Sequence, residues 1–317
     1  MKAKIGIIGG AGYTGGELLR ILINHPMVDI AFVHSNSQAG KPVYATHTDL
    51  LGSTELQFTD KLENADVLFL CSGHGESSKF LAEHIIDSNT KIIDLSTDFR
   101  DQSEGFVYGL PEWQKELIKK ASKIANPGCF ATSIELAMLP LAANNLIEAD
   151  VHVSAVTGST GAGQSLSTTS HFSWRNNNIS IYKAFTHQHL TEIGMVLNQT
   201  SHRPKVHFIP YRGNFSRGIM ANVYTAFNGA EKDAVALYHD FYKNSPFVFV
   251  SDSAIDVKQV VNTNKCFLHL SVHDGQLLVT SIIDNLIKGA SGQAVQNMNL
   301  LMGWPEESGL QLKAIGF

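Results

Sequence analysis

The chain has 317 residues, enough for one large domain or two ordinary ones, and its 44% hydrophobic and 17% charged residues describe a globular protein. A formal charge of −5 with no Lys/Arg cluster argues against general nucleic-acid binding, which needs a basic face. No apolar stretch reaches membrane-spanning length, the N-terminus enters a strand without a signal-peptide core, and three scattered cysteines make neither a disulfide framework nor a CxxC zinc pair. A cytoplasmic protein with reduced thiols and no metal is therefore expected.

Strand and helix alternate through the first third. Residues 4–8 (KIGII), 28–34 (VDIAFVH), 65–71 (ADVLFLC) and 91–95 (KIIDL) read as strands apolar along their length, with helices over 17–23 and 77–86. Such strands belong inside a parallel sheet covered on both faces, and the βαβ rhythm predicts a doubly wound, Rossmann-type α/β domain. After Cys129 the pattern changes. Longer alternating strands are expected over 151–157, 205–209, 219–226, 247–250, 267–272 and 276–283, with helices over 188–199 and 233–242. They predict a second α+β domain with a mixed or antiparallel sheet. A small-residue helix over 285–301 is expected to return to the first domain. The division is therefore 1–128 with 284–317 for dinucleotide binding, and 129–283 for catalysis and oligomerisation.

Gly10, Gly12 and Gly15, with Tyr13 and Thr14 between them, form GxGxxG directly after the first strand and at the opening of a helix. In that context the glycines permit the tight turn, the approach of a pyrophosphate and helix–strand packing. Glycine turns also serve packing alone. NAD sites place a carboxylate at the end of the second strand; here the residues are His34, Ser35, Asn36, Ser37, Gln38, Ala39, Gly40 and Lys41. Hydroxyls and a lysine suit a 2′-phosphate, so NADP(H) is expected, with Ser35, Ser37 and Lys41 as contacts. The alternative is an ordinary polar loop.

Cys129 lies in NPGCFAT, straight before an apolar run that reads as a helix. A helix N-terminus favours negative charge and so the thiolate, although a small apolar residue packed under a turn fits the stretch equally. A thiolate beside a nicotinamide would attack an activated acyl group, and hydride would reduce the thioester to an aldehyde. Such chemistry needs an acid/base. His187 and His189 precede an apolar helix with Glu192 one turn on. HxH also fits half a metal site, but no third ligand cluster accompanies it. Ser159, Gly161 and Gly163 form a glycine- and hydroxyl-rich loop suited to phosphate. Arg212 and Arg217 flank a strand and either grip an anion or sit as surface charges.

Together these motifs resemble the N-acetyl-γ-glutamyl-phosphate reductases, semialdehyde-forming enzymes of arginine biosynthesis. The likeness spans nearly the whole chain, through GIIGGAGYTGGELLRILINHP ending at Pro26, SNSQAGK at 35–41, IDLSTDFR at 93–100, YGLPE at 108–112, NPGCFAT at 126–132, TGSTGAG at 157–163, HQHLTEI at 187–193 and DNLIKGASGQAVQNMN at 284–299. The resemblance implies that Cys129 forms the thioacyl intermediate and that His189, ahead of His187, is the acid/base tuned by Glu192. It also implies that Gly10 to Gly15 hold the pyrophosphate, and that His74, Asn285 and Gly289 lie near the nicotinamide. Asn126, Ser159, Gly161 and Gly163 belong, on the same basis, to the acyl-phosphate site, and the assembly is a dimer or tetramer. The N-acyl group stays open between acetyl and a larger one. Two competing readings are an aspartate-semialdehyde dehydrogenase, which shares cofactor, thiol and fold, and an NADP(H)-sensing regulator without chemistry.

Overall fold

The computed structural model describes residues 2–316. The first third folds as β1 (Ala3–Ile8), α1 (Tyr13–Leu22), β2 (Val28–His34), β3 (Phe58–Thr59), β4 (Val67–Leu70), α2 (Glu76–Glu83), β5 (Lys91–Asp94), β6 (Val107–Tyr108), α3 (Pro111–Ile118) and β7 (Lys123–Ala125). The seven strands pair in parallel in the order β3-β2-β1-β4-β5-β7-β6. Ile5, Ile7, Val67, Phe69 and Ile93 are fully buried, as strands covered on both faces require. The order reverses between β1 and β4, and doubly wound sheets bind ligands at the carboxyl ends of strands at such a switch point.

The chain continues through α4 (Cys129–Ala143), β8 (Val151–Thr157), α5 (Phe172–Arg175), β9 (Ser180–Ile181), α6 (Leu190–Leu197), β10 (Val206–Arg212), β11 (Ile219–Ala226), α7 (Glu231–Tyr242), β12 (Val248–Val250), β13 (Cys266–His273), β14 (Gln276–Ile283) and α8 (Gly292–Leu301). Its sheet has the order β12-β13-β14-β11-β8-β10-β9 and is mixed: β8 with β10 and β12 with β13 run parallel, the other pairs antiparallel. The strands alternate. On β11, Ile219, Ala221, Val223 and Thr225 are buried, while Met220, Asn222 and Tyr224 face the other way. The buried face takes α4, whose Ser133 Oγ lies 3.0 Å from Ser281 Oγ of β14. Helix α4 is buried all round because α7 covers it from outside, Tyr242 donating to the Leu136 carbonyl at 2.6 Å.

The chain divides into two compact units. One holds residues up to Pro127 and Ala290–Gln311, the other Gly128–Gly289 and the chain from Leu312 onward. The expected division returned the chain to the first unit at 284 and kept the tail there. Residues 284–289 instead belong to the second unit, because Asp284 accepts from Arg217 and from the Asn262 amide, and Asn285 accepts from the Gly218 amide. The tail follows, with Asn262 Nδ2 donating to the Lys313 carbonyl. The single helix expected over 285–301 is broken for a related reason. Asp284 Oδ1 caps the amides of Leu286 and Ile287, and a π-turn over Ile287–Ser291 precedes α8. Helix α1 begins at Tyr13 rather than 17, with Gly12 as its N-cap.

Candidate active site

Cys129 is the first residue of α4, and the preceding Gly128 is extended at φ −72°, ψ 153° and brings no side-chain cap. The cap comes from α6: Gly128 N–H donates to Glu192 Oε2 at 2.8 Å. The thiol is partly exposed, not sealed in the core. Gly289 lies directly against the base of the Cys129 side chain, since a Cβ at that position would fall 2.7 Å from Cys129 Cβ.

Glu192 is buried, and its other oxygen lies 3.9 Å from His189 Nε2. One carboxylate therefore meets both the helix start that carries the thiol and the neighbouring imidazole. The backbone N–H of His189 donates to His187 Nδ1 at 3.2 Å, which leaves the His187 proton on Nε2. The His187 ring is boxed by Phe130, Phe208 and Tyr182, with centroids 5.5, 5.4 and 5.7 Å away. Burial first, then His189 and the positive Lys183, push its pKa down to about 3. That surrounding keeps the His187 imidazole neutral.

Arg212 ends β10 with its guanidinium over the Tyr182 ring, 4.4 Å from the centroid. Its Nε is buried with no acceptor among the described residues. Burial pushes the Tyr182 hydroxyl up to about 12, Arg212 opposing the rise and nearby Cys129 adding to it. Arg175 lies behind this pair, donating to the Arg212 carbonyl at 2.6 Å. Arg212 pairs in register with Thr157, which leads into the Ser159–Ala162 turn and Gly163 at φ +76°.

In the first unit the glycine turn links β1 to α1. A Cβ on Gly15 would lie 2.5 Å from the Gly10 carbonyl oxygen, so only glycine lets the helix start this close to the turn. Gly12 caps α1 without a side chain, which leaves the first-turn amides of Tyr13 and Thr14 for an anion. Ser35 and Ser37 lie together at the end of β2, their hydroxyls 3.5 Å apart, and the exposed Lys41 meets Gln38. His74 is on the exposed loop after β4, its Nδ1 accepting from the Thr97 amide. An uncapped helix start, a close-packed glycine turn and a strand end without a carboxylate fit a nicotinamide dinucleotide.

The semialdehyde dehydrogenase NAD binding domain model matches residues 4–121, and the semialdehyde dehydrogenase dimerisation domain model matches residues 129–285. An N-acetyl-gamma-glutamyl-phosphate reductase from Christiangramia forsetii is 59% identical over 98% of each chain, and one from Flavobacterium johnsoniae is 56% identical over 99% of each. The chain belongs to this reductase family. Among solved structures it is similar to aspartate semialdehyde dehydrogenase II of Vibrio cholerae, with TM-score 0.75, 17% identity and coverage of 96% of this chain and 99% of that one. The aspartate semialdehyde dehydrogenase of Candida albicans, solved with NADP, gives TM-score 0.75 at 13% identity, covering 95% and 99%. Those likenesses are of fold alone. The identity lies with the reductases, and the chain is an oxidoreductase with a nicotinamide-dinucleotide domain.

Against the expectations for this reductase family, several side chains are engaged elsewhere. Arg217 meets buried Asp284 through two nitrogens, at 3.1 and 3.3 Å, rather than standing free for substrate. Asn126 is 1% exposed and braces the first unit: Nδ2 donates to the Ala290 carbonyl, Oδ1 accepts from Asn297, and its carbonyl accepts from Arg100. Asn285, expected near the nicotinamide, joins the Gly218 amide to Thr160 Oγ1 and so pins the 159–162 turn. Gly289 abuts the Cβ of Cys129. Sequence reasoning passed over Tyr182 and Arg175, because a tyrosine and an arginine in a polar stretch carry no periodic or motif signal.

Proposed function

We propose that the chain reduces an N-acyl-γ-glutamyl phosphate to the corresponding semialdehyde, with NADPH as reductant and phosphate as the other product. The observation that carries this is the double contact of Glu192, on the amide before Cys129 and beside His189. It couples a nucleophile at a helix start to an acid/base, the arrangement acyl transfer requires. His189 takes the thiol proton, the Cys129 sulfur bonds to the acyl carbon, and the carbon–oxygen bond to phosphate breaks. The first-turn amides of α4 and the Arg212 fork meet the negative charge. Bound NADPH supplies the hydride that reduces the thioester carbon. His189 then returns its proton to the sulfur as the carbon–sulfur bond breaks, releasing aldehyde and regenerating the thiol. Glu192 orients the imidazole, and Ser159, Gly161 and Gly163 form the phosphate side.

The strand end without a carboxylate, with Ser35, Ser37 and Lys41, supports NADP(H) over NAD(H). The open face of the second sheet, where Tyr224 and Phe249 stay 41% and 43% exposed, supports a homodimer in a chain that matches a dimerisation domain. The widely spaced cysteines, none of them in a disulfide among the described residues, suit the cytoplasm. The test is Cys129→Ser. We expect phosphate-dependent oxidation of the semialdehyde by NADP to vanish while NADPH binding, read by fluorescence, stays close to the parent value. Turnover surviving in that variant refutes the covalent route.

A further inference from the structure

Between β2 and β3 the chain makes an excursion through two single 3-10 turns, Val43–Ala45 and Thr48–Leu50. It is held to β3 by the Phe58 amide on the Lys41 carbonyl and by the Gly40 amide on the Phe58 carbonyl. Its return brings His47 beneath the glycine turn. The imidazole is buried, and Nε2 lies 2.8 Å from the Gly10 carbonyl oxygen. A carbonyl only accepts, so His47 is the donor and carries its proton on Nε2. The ring rests on Gly16, where a Cβ would sit 2.6 Å from Nδ1 and 2.7 Å from Cε1. Its other neighbour is Phe58, with centroids 6.1 Å apart.

The Gly10 carbonyl and the Ala11 N–H belong to one peptide unit. In a trans peptide these two groups point in opposite directions, and no cis bond occurs among the described residues. Holding the carbonyl toward His47 therefore turns the Ala11 amide to the opposite side. The flanking amides are already engaged, Gly10 on the His34 carbonyl and Gly12 on the Gly9 carbonyl. Gly-Ala-Gly on its own restrains this peptide weakly, because glycine is free in φ and ψ.

We propose that His47 is a positioning residue for the dinucleotide, fixing the Gly10–Ala11 peptide so that its amide is preorganised for the pyrophosphate. This rests on the cofactor reading above. It also ties the loop that carries Ser35, Ser37 and Lys41 to the phosphate turn. The pyrophosphate is common to NADPH and NADH, so His47 acts on both, whereas the hydroxyls and lysine act on one.

The experiment is a fluorescence titration of the full-length protein with NADPH and with NADH. In His47→Leu both dissociation constants rise by the same factor, about three- to tenfold, the size of one lost hydrogen bond. His47→Gln, whose amide nitrogen reaches the Nε2 position, stays within about twofold of the parent. Gly16→Ala drives a methyl into the imidazole and repeats the loss with His47 still present. Unchanged affinity in His47→Leu overturns the proposal. A loss confined to NADPH also overturns it, because that assigns His47 to the 2′-phosphate. Equal losses in His47→Leu and His47→Gln overturn it by reducing the ring to packing. If the parent protein binds neither dinucleotide, the cofactor reading itself falls and this inference with it.

Discussion

His187 and His189 are separated by one residue with ring centroids 4.6 Å apart, yet their surroundings differ sharply. His187 looks into three aromatic rings; His189 looks at a carboxylate. We expect His189→Asn to lower kcat by about 10²–10⁴, the span of a positioned acid/base, and His187→Asn to cost far less. Steady-state kinetics of the two variants checks this, and the reverse ranking would exchange their roles. A second outcome concerns stability. With a folded pKa of about 3 against an ordinary 6.5, His187 is neutral in both states above pH 6.5 and contributes no pH dependence there. As pH falls below 6.5 the unfolded chain takes up a proton that the folded protein refuses, so stability is lost on the acid side. The limiting slope is about 1.4 kcal/mol per pH unit for one proton. Urea unfolding between pH 7 and pH 4 should decline less steeply in His187→Phe. An unchanged slope removes the buried neutral imidazole from the account.

At the scale of elements, the thiol depends on three chain segments meeting at one helix start. Helix α4 presents Cys129, α6 supplies the Glu192 cap, and the turn after β14 brings Gly289 against the sulfur's own Cβ. A methyl on Gly289 would lie 2.7 Å from Cys129 Cβ and 3.1 Å from its Cα, atoms that cannot swing aside as a flexible side-chain end can. Gly289→Ala should cost about 1–3 kcal/mol of stability, the usual range for overpacking. It should also slow alkylation of Cys129 by iodoacetamide, followed by peptide mass spectrometry. Alkylation at the parent rate would show that the approach is not needed. The sequence marked the Cys129 helix from its Asn-Pro-Gly punctuation and apolar run. It did not mark the break at 284–291, because an aspartate capping two amides ahead of a π-turn leaves a pattern that reads as continuous helix.

For the whole molecule, each unit carries one sheet with its own logic. The first is buried on both faces, whereas the second carries α4 on one face and, on the other, is covered only in part, by Ile255 and Val260 against Met220 and Phe267. Its open face carries a row of stacked rings, His207 on His152 at 4.9 Å and His152 on Tyr224 at 5.0 Å. A second copy of the chain covering this face would give twice the 34.6 kDa chain mass in light scattering. Tyr224→Glu, placing a charge in the row, should shift the protein toward the monomer. A monomer in the parent protein at micromolar concentration, or a Tyr224→Glu variant as dimeric as the parent, would remove this face as the interface.

The sequence by itself determined the parallel apolar strands, the glycine turn, the alternation of the second sheet, and the placement of a cysteine at a helix start. These are local patterns, written in consecutive residues, and local sterics and periodic burial dictate them. The tertiary structure alone decided what each polar side chain meets. It set Arg217 on Asp284, buried Asn126 in a brace, left Arg212 Nε without an acceptor among the described residues, and gave Glu192 to both Gly128 and His189. Such partners come from positions tens of residues apart, brought together by burial that no short stretch encodes, and a buried polar group takes whichever partner the packing delivers.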